Sequence, residues 1–259
     1  MNTQSSLKII AESSANKISS IVNTAFFFKE PFTHLYIDNF FPEEFAQSCL
    51  ASFPELDNPC WEHSNDPGIE IKSRSTWNSE FDIPEGIVDA VRVLNSSICL
   101  KAIGESLGIQ KLMPDPYFSG GGLNCTQSGG LLDVHVDGNY HDASGMNRRV
   151  NAILYLNKNW KDGFGGEFGV YDNLGESVVR KIAPLYNRLV IFDTHDKSYH
   201  GLPDPVCFPK GDSRKSIILY YYTVAPRPNA QVSVSEPHSA LWKSKAFTDK
   251  RGNKTRNFS

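Results

Sequence analysis

A histidine and an aspartate stand two positions apart in the segment Asp133-Val134-His135-Val136-Asp137. Polar and apolar residues alternate there, as in a β-strand, so His135 and Asp137 are expected to point to the same side and to reach one metal ion. A His-x-Asp pair alone is weak evidence, because it arises by chance in many chains of this size. A third ligand must complete the site.

The third ligand of a site with two histidines and one carboxylate should lie well downstream, on a different strand. Among the seven histidines, His200 is the best candidate, because it follows the strand-like run 188–192 and opens a turn with Gly201 and Pro203. His195, closer to the end of that run, is the alternative. Three protein ligands of this type leave coordination positions open for substrates and suit iron(II).

An arginine stands just before a run of strand-forming residues, 216–222. By strand alternation, Arg214, Ser216, Ile218 and Tyr220 should share one face. A buried guanidinium is costly unless an anion meets it, and its planar fork matches a carboxylate. The alternative is an exposed Arg214 that pairs with Asp212 or with water.

The order of these residues resembles the prolyl 4-hydroxylase-like branch of the 2-oxoglutarate and iron(II)-dependent oxygenases. It consists of His-x-Asp, a histidine about 60 residues later, and Arg-x-Ser at the start of an aliphatic and aromatic strand. The segment 151–160, followed by Gly165-Gly166-Glu167, is similar to the tyrosine-bearing strand of that family. The resemblance covers approximately residues 123–226.

The resemblance implies a double-stranded β-helix, or jelly roll, that uses iron(II), 2-oxoglutarate and oxygen to hydroxylate an unactivated C–H bond. Ascorbate is a further candidate cofactor. The implied roles are metal binding by His135, Asp137 and His200, and binding of the distal 2-oxoglutarate carboxylate by Arg214 and Tyr155. The Ser216 hydroxyl could also contact that carboxylate, or be satisfied by backbone groups instead.

Two features depart from the family pattern. A proline-rich insertion between His200 and Arg214, residues 203–209, is expected to reshape the rim of the site. Cys125 stands where some relatives place a tyrosine before the His-x-Asp pair, so the pattern here lacks the co-substrate contact of that tyrosine.

The resemblance makes a prolyl residue of a protein or peptide the leading substrate, with a free amino acid or another small molecule as the alternative. A non-catalytic jelly-roll sensor and a zinc or manganese cupin-type enzyme are the other hypotheses. Arg148 matches a substrate-side arginine in some relatives. The candidate substrate residues are Arg148, Asn139, Tyr140 and Tyr220.

The elements that position these residues divide the chain into a helical first third and a β-rich remainder. Helices are predicted for 5–22, after Pro42 and within 87–108, and a strand for 32–40. A long loop, 57–81, is predicted to wall the substrate entrance with Trp61 and Trp77. Short strands are predicted at 131–136, 150–156, 167–171, 177–182, 188–192 and 216–224.

The predicted class is therefore α+β and mainly β, with a jelly-roll core backed by N-terminal helices. We expect a helical extension (1–30), an oxygenase domain (31–228) and a C-terminal tail (229–259), whose basic part, 243–256, should be solvated. The net charge of −3 gives no reason to expect nucleic-acid binding. Scattered cysteines and the lack of a signal-like or membrane-spanning segment favour a cytoplasmic protein.

Overall fold

In the computed structural model, residues 3–254 are described. The α-helices are Thr3–Ser20 (α1), Glu43–Ala51 (α2), Glu85–Leu94 (α3) and Ser97–Leu107 (α4), with 3-10 turns at Ile21–Asn23, Glu80–Asp82, Asn229–Gln231 and Lys243–Lys245. The strands are Phe27–Phe28 (β1), His34–Ile37 (β2), Glu62–Asp66 (β3), Glu70–Ser75 (β4), Met113–Pro114 (β5), Gly122–Thr126 (β6), Leu131–Leu132 (β7), His135–Val136 (β8), Asn147–Tyr155 (β9), Phe168–Tyr171 (β10), Val178–Ile182 (β11), Arg188–Asp193 (β12), His200–Gly201 (β13), Arg214–Thr223 (β14) and Leu241–Trp242 (β15).

The strands form two antiparallel sheets. The major sheet has the order β1-β2-β12-β9-β14-β6-β4-β3, with β5 beside β14 and β7 beside β4. The minor sheet has the order β11-β10-β13-β8-β15. From β7 onward the chain passes repeatedly between the two sheets, with β10 and β11 together in the minor sheet. The helices pack on the major sheet, and the predicted jelly-roll class is confirmed.

Strand alternation in β14 separates a core face from a cavity face. Ile217, Leu219 and Tyr221 are buried in the hydrophobic core with residues of α1, α3 and α4. The other face, with Arg214, Ser216, Ile218 and Tyr220, lines a cavity, as the alternation predicted. Each fully buried aliphatic or aromatic side chain contributes about 1.5–3 kcal/mol to stability, so this division fixes the register of the strand.

The helix ends follow the sequence signals. Pro42 and Pro84 immediately precede α2 and α3. The hydroxyl of Ser96 accepts the backbone N–H of Cys99 at the start of α4, and Gly108 ends this helix with φ +69°. None of the helices in the described part of the chain has the length and apolar content needed to cross a bilayer.

The prediction of a long loop at 57–81 is wrong. β3 and β4 form a hairpin, and β4 pairs with β6 of the major sheet. Trp61 and Trp77, expected at the substrate entrance, are buried in the hydrophobic core. The polar composition of the hairpin concealed the strand alternation, because β3 lies at a sheet edge where both of its faces meet water.

The basic segment that was predicted to be solvated, 243–256, is exposed or half-buried at each of its described residues, 243–254, and the residues just before it are not. Leu241 and Trp242 are buried and form β15 at the edge of the minor sheet. Beyond β15, the ammonium of Lys250 contacts the carboxylate of Glu70. Arg256 lies outside the described residues.

Candidate active site

The three predicted metal ligands meet between the sheets. His135 on β8 and His200 on β13 are direct cross-strand partners, and Asp137 follows β8 by one residue. Nε2 of His135 lies 3.9 Å from Oδ1 of Asp137, and Nε2 of His200 lies 3.8 Å from Oδ2. All three ligand atoms lie within 4.8 Å of one another. Nitrogen and oxygen ligands bind a metal at about 2.0–2.2 Å, so this cluster fits one ion with small adjustments.

Backbone carbonyls fix the orientation of both histidine rings. Nδ1 of His135 donates to the carbonyl of Asp133 at 2.9 Å, and Nδ1 of His200 donates to that of Ser198 at 2.8 Å. A carbonyl only accepts, so Nδ1 carries the hydrogen in both rings and Nε2 presents its lone pair to the cluster. Such second partners orient the ligands of metal sites in general.

The charges of the cluster suit a metal ion. Burial, followed by the neighbouring His200, lowers the pKa of His135 to about 3, which keeps its ring neutral. Burial alone would raise the pKa of Asp137, but His200, His135, Arg148 and the Asn151 amide more than offset it and keep the pKa below the ordinary value. A neutral imidazole and an ionised carboxylate are the forms that bind iron(II).

Arg214 is buried and reaches the same cavity. Its Nε donates to the carbonyl of Gly166 at 2.6 Å and its Nη2 donates to the hydroxyl of Tyr155 at 3.0 Å. A Cβ at residue 166 would lie 2.8 Å from Cδ of Arg214, and the backbone there has φ +75°, so the glycine is required. Asp212, the alternative partner, instead accepts from Lys215. The predicted inward-facing arginine is therefore observed.

The cavity between the metal cluster and Arg214 is partly polar. The Ser216 hydroxyl and Oδ1 of Asn124 are buried without a hydrogen-bond partner, and these two residues pair across β14 and β6. Unpaired buried polar atoms are costly, which indicates that a polar ligand completes them. Beside the fixed charge of Arg214, this environment fits a carboxylate of 2-oxoglutarate. Tyr155 lies behind Arg214, where burial raises the pKa of its hydroxyl and keeps it protonated.

Sequence reasoning assigned Cys125 to the wrong face. Cys125 is buried in the hydrophobic core, whereas its neighbours Asn124 and Thr126 line the cavity. One position along a strand reverses the side to which a residue points. Asn124 and Thr126, not Cys125, therefore lie where a co-substrate contact from β6 is available.

Several cavity residues were missed from sequence. Asn151 stands on β9 in alternation with Tyr155, and its amide donates to Oδ2 of Asp137 at 3.1 Å, a contact that strand alternation could have suggested. Lys72 was hidden in the supposed loop; its ammonium lies 2.8 Å from Glu70. The complete lining is Lys72, Asn124, Thr126, Leu131, Leu132, His135, Asp137, Asn151, Ile153, Phe168, His200, Gly201, Leu202, Arg214, Ser216, Ile218 and Tyr220.

Of the predicted substrate residues, Tyr220 lines the cavity and Arg148 lies behind it. The guanidinium of Arg148 is centred 3.9 Å above the Tyr220 ring, and its Nε donates to the Tyr222 hydroxyl at 3.2 Å. Burial and the nearby Asp137 carboxylate raise the pKa of Tyr220. Arg148 therefore holds the ring of Tyr220 against the cavity.

Asn139 and Tyr140 lie beyond the cavity lining. The Asn139 side chain donates to the carbonyl of Glu236 at 3.1 Å and accepts from the backbone N–H of His238 at 2.8 Å. Tyr140 forms an isolated bridge with Asn147. His195, the alternative metal ligand, lies outside the cluster and accepts the backbone N–H of Lys197.

The proline-rich insertion, 203–209, and the Leu202 residue before it are hydrogen bonded to the chain around β7. The backbone N–H of Leu202 donates to Leu132, and that of Val206 donates to Gly130. These contacts join the insertion to β7 and the turn before it. Leu132 and Leu202 thereby form part of the cavity wall.

Comparison with known proteins identifies a family domain within the chain. Residues 121–222 match the model of the 2OG-Fe(II) oxygenase superfamily. This region is a 2OG-Fe(II) oxygenase domain. The oxygenase domain contains His135, Asp137, His200 and Arg214, and the family is one of 2-oxoglutarate-dependent dioxygenases, whose cofactors are iron(II) and 2-oxoglutarate.

Among curated proteins, the chain is similar to mouse (Mus musculus) prolyl 3-hydroxylase OGFOD1, with 30% identity over 86 residues. That alignment covers 32% of this chain and 15% of the mouse protein, so the chain matches only a small part of that relative.

Two solved structures share the fold. One is a prolyl hydroxylase from Trichoplax adhaerens in complex with a peptide of the oxygen degradation domain of hypoxia inducible factor (20% identity, TM-score 0.59, 86% of this chain and 94% of that chain). The other is a prolyl 4-hydroxylase from Pseudomonas putida (16% identity, TM-score 0.56, 82% and 100%). At these identities the likeness establishes a prolyl 4-hydroxylase-like fold.

Proposed function

We propose that this chain hydroxylates a prolyl residue of a protein or peptide, with 2-oxoglutarate as co-substrate. The observation that carries the proposal is the convergence of His135, Asp137 and His200 with the buried Arg214 in one cavity. A metal-binding protein of another class has no need for a carboxylate-binding guanidinium facing that cavity.

The residues of this chain divide the work between two ends of the cavity. His135, Asp137 and His200 would hold iron(II), and Arg214, supported by Tyr155, would hold the distal carboxylate of 2-oxoglutarate. When bound, these cofactors supply the oxidation: 2-oxoglutarate loses carbon dioxide and becomes succinate, and one oxygen atom of O2 is left for the substrate C–H bond. The apolar part of the cavity lining would exclude water from the reacting centre and leave room for an uncharged ring. It includes Leu131, Ile153, Phe168, Leu202 and Ile218.

The choice of a prolyl substrate is supported by the names of the relatives. The mouse relative is a prolyl 3-hydroxylase, and the Trichoplax adhaerens relative was solved with a peptide. An uncharged pyrrolidine ring suits the apolar part of the lining. A free amino acid would bring an ammonium and a carboxylate into the cavity, and Arg214 would already be occupied by 2-oxoglutarate.

The proposal is tested by succinate formation coupled to peptide oxidation. Purified protein would be supplied with iron(II), 2-oxoglutarate and oxygen, together with a peptide library in which proline occupies every position in turn. We expect succinate in amounts that match peptides gaining one oxygen atom, and no product from Asp137→Ala. Turnover of free proline but of no peptide would overturn the peptide assignment. No succinate with any substrate, or without one, would overturn the activity.

We also propose that Tyr220 and Arg148 contact or position the substrate. Arg148→Ala removes the cation above the Tyr220 ring and leaves the metal ligands in place. It should therefore reduce peptide oxidation more than the slow decarboxylation of 2-oxoglutarate without peptide. Equal losses in both reactions would assign Arg148 to the fold instead.

A further inference from the structure

Three aromatic side chains form a row across the minor sheet at the metal cluster. His135 on β8 is the cross-strand partner of His200 on one side and of Trp242 on the other. The ring centroids of His135 and Trp242 are 4.5 Å apart with an interplanar angle of 27°, which is a stacked arrangement. The centroids of His135 and His200 are 4.3 Å apart. The imidazole of His135 is therefore held between an indole and the second metal-binding imidazole.

The C-terminal segment, residues 236–244, follows the metal-binding segment, residues 133–139, along its whole length. At one end, the backbone N–H of Ser244 donates to Asp133 at 2.8 Å, and that of Lys243 donates to the Val134 carbonyl at 2.8 Å. At the other end, Asn139 exchanges hydrogen bonds with His238. The two segments are thus joined on both sides of the His-x-Asp pair.

Close packing accompanies these hydrogen bonds next to Asp137. A Cβ at Gly138 would lie 2.8 Å from the carbonyl oxygen of His238 and 3.1 Å from Cα of Ser239. Only a glycine permits this approach without displacement of the C-terminal segment. The backbone that carries Asp137 is therefore packed directly against the segment.

Without β15, the ligand-bearing strand would lie at the edge of its sheet. β8 has two residues, and β15 covers the side opposite to β13. A strand this short offers few hydrogen bonds to hold its own position, so its geometry depends on both neighbours. The segment also lies outside the matched family region, residues 121–222.

We propose that the C-terminal segment is part of the metal site and that Trp242 is a positioning residue for His135. Trp242 is not one of the three side chains that would ligate the metal; it restricts the imidazole of His135 to the orientation in which Nε2 faces Asp137 and His200. Positioning partners of metal ligands change metal affinity when they are altered, and flat ring contact is the property of Trp242 that matters here. The inference rests on the metal site of the proposed function.

The test compares two conservative substitutions that keep the site apolar. Trp242→Phe retains a flat ring against His135, whereas Trp242→Met retains burial but replaces the ring by a flexible chain. The same two substitutions at Trp61 supply the matched control, because Trp61 is also buried, 7% exposed against 4% for Trp242, and lies in the hydrophobic core away from the metal cluster. Binding of Mn(II) would be measured by titration of the free-ion electron paramagnetic resonance signal, with thermal unfolding recorded for every variant.

We expect Trp242→Met to weaken Mn(II) binding by about tenfold, Trp242→Phe to weaken it less, and both Trp61 variants to bind as the unaltered protein does. Equal Mn(II) affinity of Trp242→Phe and Trp242→Met would overturn the positioning role. So would equal weakening by Trp61→Met, because general destabilisation would then explain the loss. Failure of the unaltered protein to bind Mn(II) would instead contradict the metal site of the proposed function.

Discussion

The side-chain amide of Asn151 donates a hydrogen bond of 3.1 Å to Oδ2 of Asp137, the oxygen that lies 3.8 Å from Nε2 of His200. Asn151 stands on β9 of the major sheet, whereas Asp137 follows β8 of the minor sheet. The bond therefore connects the two sheets at the metal cluster. It fixes the rotation of the carboxylate and helps to keep the pKa of Asp137 below its ordinary value.

Asn151→Ala should weaken metal binding by about tenfold, because the carboxylate loses its orienting partner. Mn(II) titration measures this directly. Asn157→Ala is the matched control, since Asn157 is also buried and hydrogen bonded but contacts Pro184 and Lys215 rather than the cluster. If both variants bind Mn(II) equally well, the amide of Asn151 has no role in the site.

Arg214→Ala should weaken 2-oxoglutarate binding by about 2–5 kcal/mol, because a buried charge-assisted pair is lost. Tyr155→Phe should cost less, about 0.5–1.5 kcal/mol, since it removes one neutral hydrogen bond. Calorimetric titration of the Mn(II)-loaded protein with 2-oxoglutarate gives both values. Arg188→Ala, which removes a buried arginine paired with Asp38, should leave the affinity unchanged. Loss of Mn(II) from Arg214→Ala would assign the arginine to the fold.

Stability should fall in mild acid, in part because of His34. This ring is fully buried and donates from Nδ1 to the Phe32 carbonyl at 2.8 Å. Burial lowers its pKa from 6.5 to about 4. As the pH falls, the unfolded chain takes up the proton first, so stability is lost between about pH 6.5 and about pH 4 and no further below that.

Replacing His34 by phenylalanine should remove this loss, which amounts to at most about 3 kcal/mol. The new ring would lie between Phe28 and Phe32, which already pack against the imidazole. Urea unfolding of the metal-free protein across that pH range gives the free energy of unfolding. Parallel pH profiles of the variant and the unaltered protein would show that His34 does not titrate as described.

The sequence was sufficient for the parts of the site that lie on well-formed strands. In β14, strand alternation alone predicted that Arg214, Ser216 and Tyr220 share one face, and that face lines the cavity. The prediction succeeds because burial of Ile217 and Leu219 in the core allows only one pairing register for this strand. The metal ligands were chosen by residue type and order, and the structure brings them together.

Other parts depended on long-range packing that a single sequence does not reveal. The hairpin of β3 and β4 is polar and lies at a sheet edge, so it lacked the apolar alternation of a half-buried strand. Trp242 lies more than a hundred residues from His135 in a stretch with no periodic pattern, and only the pairing of β15 with β8 brings them together. The misplaced Cys125 shows how an error of one position exchanges core for cavity.

Anaerobic addition of iron(II) and 2-oxoglutarate tests the central claim most directly, because their chelate gives a weak visible charge-transfer band. We predict that the unaltered protein develops this band, that His135→Ala does not, and that Arg214→Ala develops it only at higher 2-oxoglutarate concentration. A missing band in the unaltered protein, or an undiminished band in His135→Ala, would contradict the assignment of this cavity as an iron(II) and 2-oxoglutarate site.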